Sequence, residues 1–201
     1  MFENLLIILA KRPEKGKVKT RLAASIGDDK ALEIYLKLLQ HTHKVADIVA
    51  ADKAVFYSDR IHDFDLLDYF KFPKAVQSGK DLGEKMKNAM ALGFRKAYAK
   101  VILIGSDCIT ITPEIIAEAF ERLDNNDVVI GPAEDGGYYL IGMKRSCDTL
   151  FENKLWSTSD VLLDTVLDLQ KLEKSYFLLE TLNDVDEEKD LNDELREMLK
   201  K

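Results

Sequence analysis

Between Lys11 and Arg21 the chain carries six basic side chains (Lys11, Arg12, Lys15, Lys17, Lys19 and Arg21) against one acid, Glu14. On a protein of formal net charge -7, such a run is a focused positive field. The ammonium groups of Lys11, Lys17 and Lys19 suit phosphate oxygens, and the Arg21 guanidinium can grip two oxygens at once. Lys19-Thr20 does not complete a P-loop: the glycine positions of GxxxxGK[ST] fall on Pro13 and Val18, so the cradle of backbone amides is missing. Lys19 and Arg21 are expected to stand exposed on a loop; the plainer reading of such a run is a solvated face.

Two acidic segments supply the complementary chemistry. Asp107 follows the apolar run Val101-Ile102-Leu103-Ile104, with Gly105 and Ser106 leaving space beside its carboxylate. Magnesium or manganese is the natural partner for a carboxylate placed so, because hard cations bridge carboxylates to substrate phosphates; a turn or cap role is the alternative. Asp184 and Asp186 are two residues apart, so on extended chain they share a side, and either could complete a shell with Asp107. Carboxylates gathered without a metal repel one another, so Asp107→Asn is expected to fold with at least the parent's stability. Asp190 reads as the cap of a final helix.

The stretch Gly131-Pro132-Ala133-Glu134-Asp135-Gly136-Gly137-Tyr138 is the richest in information. Gly136 and Gly137 permit positive φ and close backbone approach, while Glu134 and Asp135 could accept hydrogen bonds from sugar hydroxyls or, at Asp135, take a proton. Asp-Gly also signals a tight hairpin, which is compatible.

These segments need elements to hold them. Leu5–Ala10 is an unbroken apolar run, as in a strand buried on both faces of a parallel sheet. Helical spacing follows over Asp28–Val49; Ala54–Tyr57 and Lys74–Gln77 read as strands, Asp81–Ala99 as a helix, and Val101–Gly105 as a strand. Thr112-Pro113 opens a helix with a cap and a proline at its first position. Asp127–Gly131 and Gly137–Met143 are strands, Ser157–Leu172 is a helix capped by Ser157, and Tyr176–Leu179 is the last strand. The alternation implies one α/β domain over 1–201, a mostly parallel sheet flanked by helices, with ligand sites beyond the carboxyl ends of the strands. The basic run, Asp107 and the Asp-Gly-Gly turn all fall there.

Composition narrows the function. An excess of 36 acids over 29 bases and a pI near 5.1 argue against nucleic-acid binding. No apolar run reaches the roughly 20 residues of a membrane span, and a start without basic residues does not resemble a signal peptide, so a cytoplasmic protein is expected. Cys108 and Cys147 show no CxxC spacing, and His41 and His43 would point to different helix faces, which disfavours a histidine zinc site. Cys108 has no activating histidine in its sequence context and reads as a small space-filling residue.

Four segments taken in order, Lys17–Leu22, Gln77–Met86, Gly105–Cys108 and Gly131–Gly142, resemble the rSAM/selenodomain-associated transferase family, glycosyltransferase-like proteins of the nucleotide-diphospho-sugar transferase superfamily. Trp156-Ser157, Asp184-Val185-Asp186 and Asp190-Leu191 extend the match. The resemblance implies a GT-A type fold, phosphate binding by Lys19 and Arg21, metal binding by Asp107 and Asp186, and a sugar or acceptor pocket at Asp135, Gly136 and Gly137. The chain departs from the pattern at Ile109, where the family has proline, and it has a single acid at Asp107 where many metal-dependent glycosyltransferases have Asp-x-Asp. The expected activity is transfer of a glycosyl group from a nucleoside-diphosphate sugar to a small acceptor. Nucleotidyl transfer from a nucleoside triphosphate, with release of pyrophosphate, is the alternative, and a non-catalytic nucleotide-binding module is the third.

Overall fold

The computed structural model describes residues 2–59 and 72–200. Its seven strands are β1 (Phe2–Ala10), β2 (Asp52–Tyr57), β3 (Lys74–Val76), β4 (Tyr98–Ile104), β5 (Val128–Pro132), β6 (Tyr138–Met143) and β7 (Tyr176–Leu178), in the sheet order β3-β2-β1-β4-β6-β5-β7. Every neighbouring pair is parallel except those of β6, which runs antiparallel to both β4 and β5. The β5–β6 hairpin therefore turns through Ala133–Gly137, and its tip returns to the edge where β1 and β4 end.

Helices α1 (Thr20–Ile26), α2 (Asp28–Ile48), α3 (Leu82–Arg95), α4 (Pro113–Asn125), α5 (Val161–Lys171) and α6 (Asp193–Met198) cover the sheet. Alternation along β1 divides the core: Leu6, Ile8 and Ala10 pack with Leu22 of α1, Ile34 and Leu38 of α2 and Leu195 of α6. Leu5 and Ile7 face the other way, against Met86 and Met90 of α3 and Leu169 of α5. Full burial of each such side chain contributes roughly 1.5–3 kcal/mol, which is why the apolar runs of β1 and β4 become central strands.

Four expectations shift. The third helix stops at Arg95 because Ala97 turns left-handed (φ 64°), and Tyr98 and Ala99 join β4 by pairing alongside β1. The helix read from Ser157 begins at Val161: Ser157 itself has φ 64°, and Leu162 donates its backbone N–H to the Gly136 carbonyl at 2.9 Å. Asp190 does not cap the last helix, a task taken by Asn192 through the Leu195 N–H; the Asp190 carboxylate instead accepts from the N–H groups of Asp186 and Glu187. Finally, α1 rises directly out of the basic run, which the charge pattern had made look like loop throughout. Thr112 caps α4 as expected, accepting from the Ile115 N–H.

Candidate functional site

Beyond the carboxyl ends of β1 and β4 lies a cleft of about 710 Å³. One wall is built by Lys11 and by Lys19, Thr20 and Arg21. Val18 and Leu22 plug into the core there, and Lys19, in a left-handed conformation (φ 46°), turns its side chain inward. A non-glycine residue in that region costs about 1–2 kcal/mol. Two contacts offset it: the Lys19 ammonium donates to Asp107 Oδ2 at 2.8 Å and to Asp186 Oδ1 at 2.9 Å. Only 6 % of the Lys19 side chain is exposed, which overturns its expected place on an open loop.

Asp186 reaches this point because the chain after β7 is laced to the strand ends. Leu182 exchanges backbone hydrogen bonds with Pro132 and Glu134, and Val185 donates its N–H to the Asp107 carbonyl at 3.0 Å. Asp107 and Asp186 thus meet across an ammonium rather than facing each other bare, so the stability gain expected of Asp107→Asn loses its physical basis. Arg21, largely exposed, stands 3.5 Å from the other Asp186 oxygen.

The electrostatics follow from that bridge. Burial alone would lower the Lys19 pKa, but Asp107 and Asp186 outweigh it and hold the ammonium charged well above the ordinary lysine range. Burial alone would raise the Asp186 carboxyl; Lys19, with Arg21 and Lys11, keeps it below the usual carboxylate value. Asp184 has the opposite fate. Burial and the nearby Asp107 push it up to about 8, and its Oδ1 is buried without a hydrogen-bond partner.

A carboxyl whose folded pKa is raised favours folding at low pH; this contribution is full below the unfolded value and is lost as pH rises from 3.8 toward about 8. Urea unfolding in the presence of a chelator is expected to show Asp184→Asn gaining on the parent between pH 5 and pH 8.5. A stability gap that stays constant across that range would contradict the assignment.

The remaining site residues divide. Lys11 lines the cleft, its backbone clamped by Tyr35 of α2, whose hydroxyl accepts from the Lys11 N–H and donates to the Lys11 carbonyl, each at 2.8 Å. Lys17 lies outside the cleft, exposed and paired with Glu14 at 2.7 Å. Asp135 and Gly137 line the opposite wall, and Asp135 Oδ1 accepts from the Gly137 N–H at 2.9 Å. Glu134 and Gly136 are brought to the hairpin but not to the cleft. Glu134 is exposed, and Gly136 (φ 88°) lies against the Ser159 backbone, where a Cβ would overlap the Ser159 carbonyl. Gly136 therefore serves helix docking.

Cys108 is buried beside Asp107, its thiol pushed up to about 11 mainly by burial. Cys108→Ser is expected to retain most of any activity and the parent thiol to react slowly with an alkylating reagent at pH 7. Loss of turnover with a covalent adduct on Cys108 would contradict this.

Sequence reasoning left Tyr35, Gln77, Lys85, Tyr138 and Trp156 without roles, though all line the cleft. Tyr35 was hidden among the apolar residues of its helix. Gln77, Lys85 and Trp156 lay inside motifs whose order, not chemistry, was informative. Among the described residues, no three His, Cys, Asp or Glu side chains are grouped so as to hold a metal by themselves.

The fold is that of the nucleotide-diphospho-sugar transferases: an α/β sheet, mostly parallel, with its cleft at the carboxyl ends of the central strands. The chain belongs to the family described as "Uncharacterized protein conserved in bacteria (DUF2064)", whose model matches residues 38–158. It is similar to the crystal structure of a candidate nucleotide-diphospho-sugar transferase from Desulfovibrio desulfuricans G20, with 36% identity, a TM-score of 0.86, and coverage of 93% of this chain and 84% of that one. The inositol-1-phosphate CTP transferase from T. maritima shares the fold at 15% identity and TM-score 0.57, covering 98% of this chain and 94% of that one. A CMP:2-keto-3-deoxy-manno-octonic acid synthetase solved with CTP does so at 12% identity and TM-score 0.60, covering 98% and 99%. No curated protein matches the chain.

Proposed function

We propose that this protein is a metal-dependent transferase that takes a nucleotide-activated donor, transferring a glycosyl group from a nucleoside-diphosphate sugar to a small acceptor. The observation that carries the reading is the Lys19 ammonium held between Asp107 and Asp186 in the lining of the cleft. Lys19, with Arg21 and Lys11, offers positive charge to the two phosphates of the donor and to the charge that grows on them as they leave. In Asp135, the facing wall holds a carboxylate able to orient a hydroxyl or accept its proton.

Asp107 and Asp186 fit an open magnesium or manganese site. Their donors are hard carboxylate oxygens lining the cleft, and such ions accept one or two protein carboxylates with water and phosphate completing the shell. When bound, the ion would supply Lewis-acid stabilisation of the diphosphate. The relation to rSAM/selenodomain-associated transferases and a cytoplasmic location belong to the same proposal; among the described residues no helix is long and apolar enough to cross a membrane.

A second reading, nucleotidyl transfer, draws support from the CTP-using proteins of the same fold and from the single acid at Asp107. Product analysis separates the two. Incubation with nucleotide sugars and magnesium or manganese is expected to yield a nucleoside diphosphate. Pyrophosphate released from a nucleoside triphosphate would instead establish the second reading, and neither product with any donor would leave only a binding module.

A further inference from the structure

The segment Gln77–Met86 forms the wall of the cleft on the sheet face opposite α1, and the Gln77, Asp81 and Glu84 side chains in it have structural tasks. The Gln77 amide donates to the carbonyls of Ala10 and Phe56, at 3.2 and 2.8 Å, which pins the β3 end to β1 and β2. Asp81 caps α3 by accepting from the Glu84 N–H, and Glu84 returns the contact to the Lys80 N–H. Gly83 has no Cβ because the Trp156 indole lies against the helix there. Leu82, Lys85 and Met86, at i, i+3 and i+4, consequently share the helical face that fronts the cleft.

Lys85 differs from the exposed Lys80 in being half-buried and in lining the cleft. Half-buried at the cleft wall, its ammonium has no carboxylate, hydroxyl or carbonyl partner among the described residues, although the chain carries 36 acids. Lys87, two residues on and turned to another side of the helix, is paired with Glu152 at 2.9 Å, and Lys19 in the cleft has two carboxylates. The Lys85 ammonium is reached by solvent and has no counter-charge of its own in the cleft, so it is available to an anion that enters there. Around it the wall is apolar and aromatic: Leu82, Met86, Tyr138 and Trp156, with Tyr138 and Trp156 meeting edge to face at 6.5 Å.

From this we infer that Lys85 is the anion-binding residue of an acceptor subsite, and that the acceptor carries a phosphate or carboxylate attached to a body that packs against Trp156 and Tyr138. The inference rests on the transfer reaction proposed above, with the donor diphosphate taken by Lys11, Lys19 and Arg21 from the other sheet face. The two cationic walls divide the labour: one holds the leaving group and the other anchors the acceptor next to Asp135.

The test uses the full-length protein saturated, with magnesium, by whichever of UDP, GDP, CDP and ADP binds it tightest, and then titrated with inorganic phosphate or, separately, acetate. Phosphate is expected to bind this complex, and Lys85→Gln to weaken that binding about tenfold while changing nucleoside-diphosphate affinity by less than about twofold, with Lys85→Arg restoring it. Binding by phosphate alone assigns a phosphorylated acceptor; binding by both assigns an oxyanion of either kind. Unchanged phosphate affinity in Lys85→Gln, or an equal loss of nucleoside-diphosphate affinity, overturns the inference. If no nucleoside diphosphate binds, the transferase reading fails separately, and the phosphate titration is run on the free protein. A loss there in Lys85→Gln but not in Lys19→Met supports the subsite, and no loss in Lys85→Gln removes it.

Discussion

Lys19→Met is expected to be the most damaging single change in the cleft, lowering both stability and nucleotide affinity. Methionine keeps a buried apolar stem but removes the ammonium, leaving the Asp107 and Asp186 oxygens that lay 2.8 and 2.9 Å from it facing each other. Breaking a fully buried pair from one side costs about 3–5 kcal/mol, whereas exposed pairs contribute about 1 kcal/mol or less. The two carboxylates are 36% and 41% exposed, so solvent screens part of the repulsion. A loss of about 1–3 kcal/mol near pH 7 is the result to expect.

The pH dependence gives this its sign. Lys19 holds the Asp186 pKa below its unfolded value, so its stabilisation is present above that value and is lost as pH falls through the folded one. The deficit of Lys19→Met should accordingly be widest near neutrality and close in acid. Denaturant titrations of parent and variant across the acid range measure it, and a deficit independent of pH would mean that lost packing, not lost charge, explains the change. Nucleotide affinity should fall by at least about tenfold, since charge-assisted hydrogen bonds contribute roughly 1.5–3 kcal/mol.

Asp107→Asn is expected to lose nearly all turnover and the metal-dependent part of nucleotide binding, and, contrary to the expectation from sequence, to be less stable than the parent. The amide keeps the shape but leaves the buried Lys19 ammonium with Asp186 as its only full counter-charge. The backbone anchor survives, because the Asp107 carbonyl still accepts from the Val185 N–H, so the fold should persist with a loss of about 1–2 kcal/mol. The double variant Lys19→Met with Asp107→Asn should recover part of each single loss, as members of one charge network do. Calorimetry with and without magnesium, beside melting curves of the metal-free proteins, reads both effects. A variant that turns over normally, or one whose binding keeps the parent's metal dependence, would take Asp107 out of the site.

What was legible in the sequence follows the range of the forces involved. The apolar runs of β1 and β4 and the helical spacing of α2 are local patterns, and they gave the sheet and its carboxyl edge. Asp107, Asp135 and the basic run were likewise placed at that edge by position alone. The Lys19 bridge was not legible, because its partners stand 88 and 167 residues away, and nothing local indicates that a lysine in a six-cation run turns inward. The left-handed turn at Lys19 and the anchoring of Val18 and Leu22 are tertiary facts. Ser157 illustrates the converse: its sequence context is that of a helix cap, but docking of the Gly136 carbonyl onto Leu162 moves the helix start to Val161. The orphaned Asp184 carboxyl and the unpaired Lys85 are visible only once the walls of the cleft are assembled.

The most direct test of the account is calorimetric titration of the parent and of Lys19→Met with the diphosphates and triphosphates of uridine, guanosine, cytidine and adenosine, each with magnesium, with manganese and with chelator. At least one nucleotide is expected to bind the parent, and to bind more weakly by at least about tenfold when the metal is removed or Lys19 is replaced. Binding of no nucleotide under any condition, or equal affinity in all of them, would contradict it.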